Sequence, residues 1–348
     1  MSIISPHSRT AVVLFNLGGP DAPESVQPFL FNLFSDPAII RLPKFLRSPL
    51  ASFISRRREA TAKAIYEEMG GKSPIVENTE QQGKALELSL SAHGEVKVFH
   101  AMRYWHPQAQ EVAAKVKEYG PQSIILLPLY PQFSTTTTAS SFAEWKRAAT
   151  AIGLQVKTHE VCCYPTQPQF ITAHAQLVRT YVGEASRFGT PRVLFSAHGL
   201  PKSIVKRGDP YQWQVEATAR AIATEVAVPG LDTVVCYQSR VGPMRWLEPS
   251  IRDEILRAAK DKVPLVVVPI AFVSEHSETL VELDIEYADL AHARGIDRYY
   301  RVPALSVQAH FIAGLADLCL KFPEERAIAS HTGARFCAMN WKECPCRT

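Results

Sequence analysis

The chain has no apolar run approaching the ~20 residues needed to cross a bilayer, and no lysine or arginine block long enough to serve as a nucleic-acid arm. Its first residues, MSIISPHSR, carry neither the apolar stretch of a secretory signal nor the length of an Arg-rich transit peptide. Gly18-Gly19-Pro20 lacks the G-x-G-x-x-G fingerprint and no Walker A motif is present, which disfavours a nucleotide enzyme. These absences point to a reducing compartment, the cytoplasm or the inner face of the cell membrane, where the seven cysteines stay unpaired. What remains is ordinary: 348 residues, 46% hydrophobic and 21% charged, with a formal net charge of +4. That length accommodates two lobes of ~150 residues with a large buried core.

Short β-rich apolar runs recur at Ala11–Leu17, Val96–Met102, Ser123–Leu129, Gln155–Val161, Arg192–Ala197, Thr233–Tyr237 and Val263–Ile270. Stretches with helical periodicity lie between them, among them Ala109–Glu118, Tyr211–Val226 and Ile251–Asp261. Unbroken apolar strands alternating with helices predict an α/β fold with parallel sheets covered on both faces. A duplication is visible as well. VLFNLGGP (Val13–Pro20) echoes VLFSAHGLP (Val193–Pro201), and IILLPLYPQFSTTTT echoes LVVVPIAFVSEHSET. The expectation is two similar Rossmann-like lobes, each a four-stranded parallel sheet, with ligands beyond the carboxyl ends of the strands. The boundaries fall at 1–165 and 166–325, with a lip insertion at about 35–74 and a Cys-rich tail at 326–348. Within the lip, LPKFLRSPLASFISRRR (Leu42–Arg58) alternates apolar and basic residues. It reads either as a membrane-interface segment or as a core helix with a solvated end.

Three strand-end motifs carry chemistry. His198, in SAHGLP, stands on a Gly-Pro turn after a buried strand, where an imidazole can take protons near neutral pH. Glu278, Glu282 and Glu286 follow His276 at four-residue spacing, so an α-helix, or better a π-helix, sets them on one face. Carboxylates opening at a ligand edge raise some of their own pKa values and attract a cation, and with a nearby imidazole they suit transient Fe(II). The segments AMRYWHP, LPLYPQFS and QSRVGPMRWL supply aromatic rings and guanidinium groups at loop positions, a mixture suited to a flat aromatic ligand bearing carboxylates.

At these motifs the chain resembles the ferrochelatase family nearly end to end. The match rests on LFNLGGPD, YEEMGGKSP, AMRYWHP, LPLYPQFSTTT, YQSRVGPMRWLEP, PIAFVSEHSETLVELDIEY and, most specifically, LFSAHGLPKSIVKRGDPY. The resemblance implies a chelatase-like fold with a porphyrin cleft between the lobes, and a lyase that inserts Fe(II) into protoporphyrin IX to form protohaem. It implies His198, Glu278 and His276 as catalytic residues, with Glu278 opposite His198 across the cleft. His198 and Glu278 would meet the substrate iron, and Glu282 and Glu286 would form an acidic relay. Porphyrin contacts fall on Asn16, Leu17, Tyr66, Ser73, Arg103, Tyr104, Tyr211 and Trp246, with Arg57 or Arg58 facing a propionate. Coproporphyrin as substrate, a cobalt chelatase, and a porphyrin or haem carrier without catalysis are the competing readings.

Cys337, Cys344 and Cys346 crowd the tail as C-x6-C-x-C and read as cluster or metal ligands, with Cys162 or Cys163 as the source of a fourth thiolate. The resemblance implies a [2Fe–2S] cluster; zinc and free thiols are the alternatives. Cys236 and Cys319 read as buried apolar residues. A monomer and a homodimer remain equally compatible with this pattern.

Overall fold

The computed structural model describes residues 3–6, 8–240, 242 and 244–346. Met1, Ser2 and His7 of the N-terminal reading, Val241 and Pro243 of the YQSRVGP segment, and the last two residues of the tail lie outside the described residues. The strands are β1 (Arg9–Asn16), β2 (Glu95–Met102), β3 (Ser123–Pro128), β4 (Lys157–Val161), β5 (Arg192–His198), β6 (Asp232–Gln238), β7 (Leu265–Pro269), β8 (Tyr299–Arg301) and β9 (Ile328–Ala329). They form two parallel sheets, ordered β2-β1-β3-β4-β9 and β6-β5-β7-β8.

The repeated order is the structural form of the sequence duplication: the two VLF strands, β1 and β5, are both central. Every residue of β3 and β7 is buried, as are seven of the eight in β1. That is the environment an unbroken apolar strand requires. The helices Tyr211–Val226 and Ile251–Asp261 occur as the periodicity predicts.

Two features depart from expectation. The first sheet has five strands instead of four, because β9 from the tail adds to its edge beside β4. Two paired residues are too short a run for an alternation pattern to announce. The lobes also share one apolar core, which runs from Val12 and Leu14 through Phe170 and Phe311 to Phe195 and Val266.

Buried amides join the two halves beneath the strand ends. Gln82 Nε2 donates to Val273 O (2.8 Å) and Ser306 O (3.1 Å), and its Oε1 accepts from Ser274 Oγ (3.0 Å). Gln132 Nε2 donates to Thr218 Oγ1 (3.0 Å) and Ile270 O (3.1 Å). No helix among the described residues is long and apolar enough to cross a membrane.

Candidate active site

His198 is the last residue of β5, in register with Gln238 at the end of β6, and β7 runs out into the loop that carries His276. Three functional segments therefore leave one sheet at its carboxyl edge. His198 Nδ1 donates to Gly199 O, which leaves Nε2 as the basic nitrogen of the neutral ring. His276 repeats the device: Nδ1 donates to Ser274 O (3.1 Å). Both free nitrogens turn toward one carboxylate. Glu278 Oε1 lies 3.5 Å from His198 Nε2, and Glu278 Oε2 lies 3.8 Å from His276 Nε2. His276 Nε2 and Glu278 Oε2 are buried without a hydrogen-bond partner in the protein, a costly state unless a ligand or proton completes them. The His198 side chain is 41% exposed and so remains reachable from the cleft.

Sequence placed Glu278 opposite His198, and the structure corrects this. A flat ring between the two groups would need ~3.5 Å on each face, and the two atoms are themselves only 3.5 Å apart. They stand side by side on one wall, where Phe272 packs against both imidazoles.

The acidic row begins on the short α-turn Ser277–Leu280 and continues through a π-helix, Glu282–Glu286, as the spacing suggested. Glu282 is gripped by Gln238 Nε2 (2.9 Å), Ser239 N (2.8 Å), Ser239 Oγ and Tyr287 Oη (3.2 Å). Glu286 is exposed. The carboxyls are pushed apart in acidity. Burial pushes Glu278 up, but the neighbouring His198 and His276 outweigh it and hold the group below the usual carboxylate range. Burial, and then the charge of Glu278, push Glu282 above that range. Glu278 is therefore the more acidic group beside the imidazoles, and Glu282 behind it holds a proton more readily.

The residues expected around the porphyrin divide into four groups. Tyr66, Tyr211 and Trp246 are buried close to the reacting groups. Burial raises the Tyr66 hydroxyl pKa to about 12. Tyr211 Oη donates to His198 O (3.1 Å), and Trp246 packs on Gly199. Asn16, Leu17 and Ser73 brace the β1 end. Asn16 Nδ2 donates to Thr79 Oγ1 (2.9 Å) and Ser274 Oγ (3.3 Å) across the lobes, Leu17 is half-buried, and Ser73 seats against Gly19.

Arg103 and Tyr104 are committed inward. Buried Asp36 accepts from Tyr104 Oη (2.8 Å), Arg103 Nη2 (2.9 Å) and Ser140 Oγ, and Arg103 Nε donates to Ser140 Oγ (2.7 Å). The resemblance singled out the Arg-Tyr pair; its dependence on Asp36, 67 residues before Arg103, was not legible in the sequence. Arg57 and Arg58 are exposed on the helix Lys44–Glu67, Arg57 in an open concavity with Pro49, Ser52, Phe53 and Arg56. The same helix exposes Phe45 (74%), Leu46 (50%) and Phe53 (61%), which rules out a core helix at those positions. Gln238, Ser239 and Phe272 were not singled out, although all three lie inside or beside quoted motifs.

Cys162, Cys163, Cys337, Cys344 and Cys346 are buried in one pocket. Cys162 Sγ lies 3.6 Å from Cys163 Sγ and 3.5 Å from Cys346 Sγ, and Gln214 Nε2 donates to Cys337 Sγ (3.0 Å) and Cys163 Sγ (3.4 Å). Hydrogen bonding from Cys163 and Cys344 pulls the Cys337 thiol well below its ordinary value. Arg335 pins the tail by donating to the carbonyls of Cys337, Ala338, Trp341 and Cys346. The donor set fits a thiolate-bound group, although among the described residues no three His, Cys, Asp or Glu side chains already stand in ligand geometry, here or at Glu278. Cys236 and Cys319 are fully buried elsewhere, as expected.

Comparison with known proteins adds a family to this geometry. The ferrochelatase family model matches residues 9–322. A ferrochelatase of Wolbachia sp. subsp. Drosophila simulans is 54% identical over 318 residues, 90% of this chain and all of that protein. One from Caulobacter vibrioides is 52% identical over 346 residues, 97% of this chain and 98% of the other. Among solved structures, DR2241 of Deinococcus radiodurans, described as structurally similar to chelatases, superposes with a TM-score of 0.52 at 12% identity. That superposition covers 94% of this chain and 57% of that one, and it speaks for the fold alone. With its family model matched over nearly the whole α/β body and relatives at half identity along the chain, this protein belongs to the ferrochelatase family.

Proposed function

We propose that the protein is a lyase that inserts Fe(II) into protoporphyrin IX and releases two protons to form protohaem. The observation that carries this reading is the convergence of His198 Nε2 and His276 Nε2 on Glu278, with buried polar atoms left unpartnered at their meeting point. A carrier would need only an axial ligand and apolar walls; two imidazoles on a carboxylate, with a second carboxyl of different acidity behind it, suit the movement of protons.

Free porphyrin holds two pyrrole protons that must leave as the metal enters. His198 Nε2 accepts them from the macrocycle, Glu278 and His276 steer the cation or pass protons, and Glu282 hands them to exposed Glu286. Tyr66, Tyr211, Trp246, Leu17, Ser73 and Asn16 shape the pocket, Arg103 and Tyr104 form a wall fixed by Asp36, and Arg57 or Arg58 meets a propionate. The division into lobes 1–165 and 166–325 with a lip at about 35–74 belongs to this proposal, as does the tail 326–348.

The thiol pocket is proposed to hold a [2Fe–2S] cluster through Cys337, Cys344, Cys346 and one internal thiolate. Gln214 favours Cys163 over Cys162 because it touches Cys163 together with Cys337. Such a cluster, when bound, supplies an electron-accepting, structure-tying centre; no step above is routed through it.

A metal-insertion assay with Zn(II), followed by porphyrin fluorescence, is expected to show turnover of protoporphyrin IX in preference to coproporphyrin III. No turnover of either would leave the carrier reading. The same fresh, porphyrin-free preparation is expected to be coloured; a colourless, iron-free protein with intact thiols sinks the cluster, and zinc in its place identifies the competitor.

The lip helix is proposed to rest on an anionic bilayer, its exposed Phe45, Leu46 and Phe53 interleaved with Lys44, Arg47 and Arg56. Co-sedimentation with anionic vesicles should be lost in F45S/F53S; retention would place the contact elsewhere.

A further inference from the structure

The π-helix is wound ambiguously at its start. Val281 O accepts from Ile285 N (3.0 Å) and from Glu286 N (3.0 Å), one bond in the α register and one in the π register. A carbonyl shared in this way belongs to a segment standing between two windings, and the wider one needs a reason. The reason lies outside the helix, on β8. Arg301 forks onto Asp284, with Nε 2.7 Å from Oδ1 and Nη2 on Oδ2. Its remaining arm, Nη1, lies 2.6 Å from Glu275 Oε1, which also accepts from Ala304 N (2.8 Å).

These two anchors bracket the site. Glu275 immediately precedes His276, and Asp284 lies between Glu282 and Glu286. One guanidinium, with a side chain only 11% exposed, therefore holds both ends of the segment that presents His276, Glu278 and Glu282. Burial opposes ionisation of Glu275, but the facing Arg301 overrides it and keeps the carboxyl below its usual range.

We infer that Arg301 is a positioning residue that latches the Glu282–Glu286 π-helix, through Asp284, to the loop carrying His276, and so sets the spacing of the acidic row. It touches none of the reacting groups. It rests on the reading of Glu278 and Glu282 as proton and cation handlers. A bidentate fork fixes direction as well as distance, which a lysine ammonium cannot do.

Amide hydrogen exchange in the full chain reads the latch without relying on turnover. Arg301→Ala is expected to speed exchange at Ile285 and Glu286 by about tenfold or more, the scale on which losing a charge-assisted fork frees a local opening, while β5 amides keep their protection. Zn(II) insertion should fall in kcat by about tenfold, with the porphyrin KM little changed and Arg301→Lys intermediate. Should Arg301→Ala fold poorly, Asp284→Asn removes the same fork with a smaller change and must show the same exchange pattern. Unchanged exchange at Ile285 and Glu286 in both variants overturns the latch. Faster exchange with kcat intact supports the latch and tells against the acid-row reading instead.

Discussion

His198→Ala is expected to reduce metal insertion by ~10²–10⁴-fold, the range over which a positioned general base contributes, while porphyrin still binds. The geometry behind this is specific. Gly199 O accepts a hydrogen bond from Nδ1–H, so the lone pair sits on Nε2, 3.5 Å from Glu278. Truncation removes that lone pair and one of the two imidazoles that hold Glu278 below its usual range, so the carboxyl drifts upward and attracts the incoming cation less. The loop itself keeps its anchors. Tyr211 holds the main-chain oxygen of residue 198, not the ring, and Trp246 packs on Gly199. Porphyrin affinity, read by fluorescence titration, should therefore change little while the insertion rate collapses. Full turnover by the variant would remove His198 from the chemistry, and loss of binding alongside turnover would recast it as a wall residue.

The second large effect concerns stability. Asp36→Ala should cost ~3–5 kcal/mol, because removing one partner of a buried pair strands the other charge. Asp36 is almost wholly enclosed, and the Arg103 side chain is only 16% exposed. The carboxylate also satisfies Tyr104 Oη, Ser140 Oγ and the Ala38 N–H (2.8 Å), so four donors lose their acceptor at once. Replacing the pair with apolar residues of similar size, as in D36L/R103M, should recover much of the loss, since well-packed apolar substitutes for buried ion pairs are often neutral. Denaturant midpoints at unchanged slope measure both variants. A cost below about 1 kcal/mol for Asp36→Ala would mean that Arg103 finds water or another partner, and that the wall is softer than drawn.

The architecture was readable because apolar period and length survive in single sequence. Seven strands and the two second-half helices are where the patterns put them, and the duplicated VLF motifs became the two central strands. β8 and β9 escaped notice because runs of three and two residues leave no pattern to count. At the site, residue types and spacing pointed to His198, His276 and the glutamates, and the π-helix followed from the four-residue repeat. That His198 and Glu278 are direct neighbours did not follow, because orientation depends on how loops from different strands return. The same gap concealed Asp36 beneath Arg103, Gln82 between the lobes and Arg301 behind the acidic row. Each acts through a partner more than a dozen residues away in the chain, a distance over which sequence carries no periodic signal.

Gln82 and Gln132 have a mechanical consequence. Pulling the two sheets apart would leave at least two buried amides and the carbonyls they satisfy bare, a penalty of roughly 1–3 kcal/mol for each orphaned group, in addition to tearing the common core. The two sheets are therefore tied into one body rather than hinged like a clam.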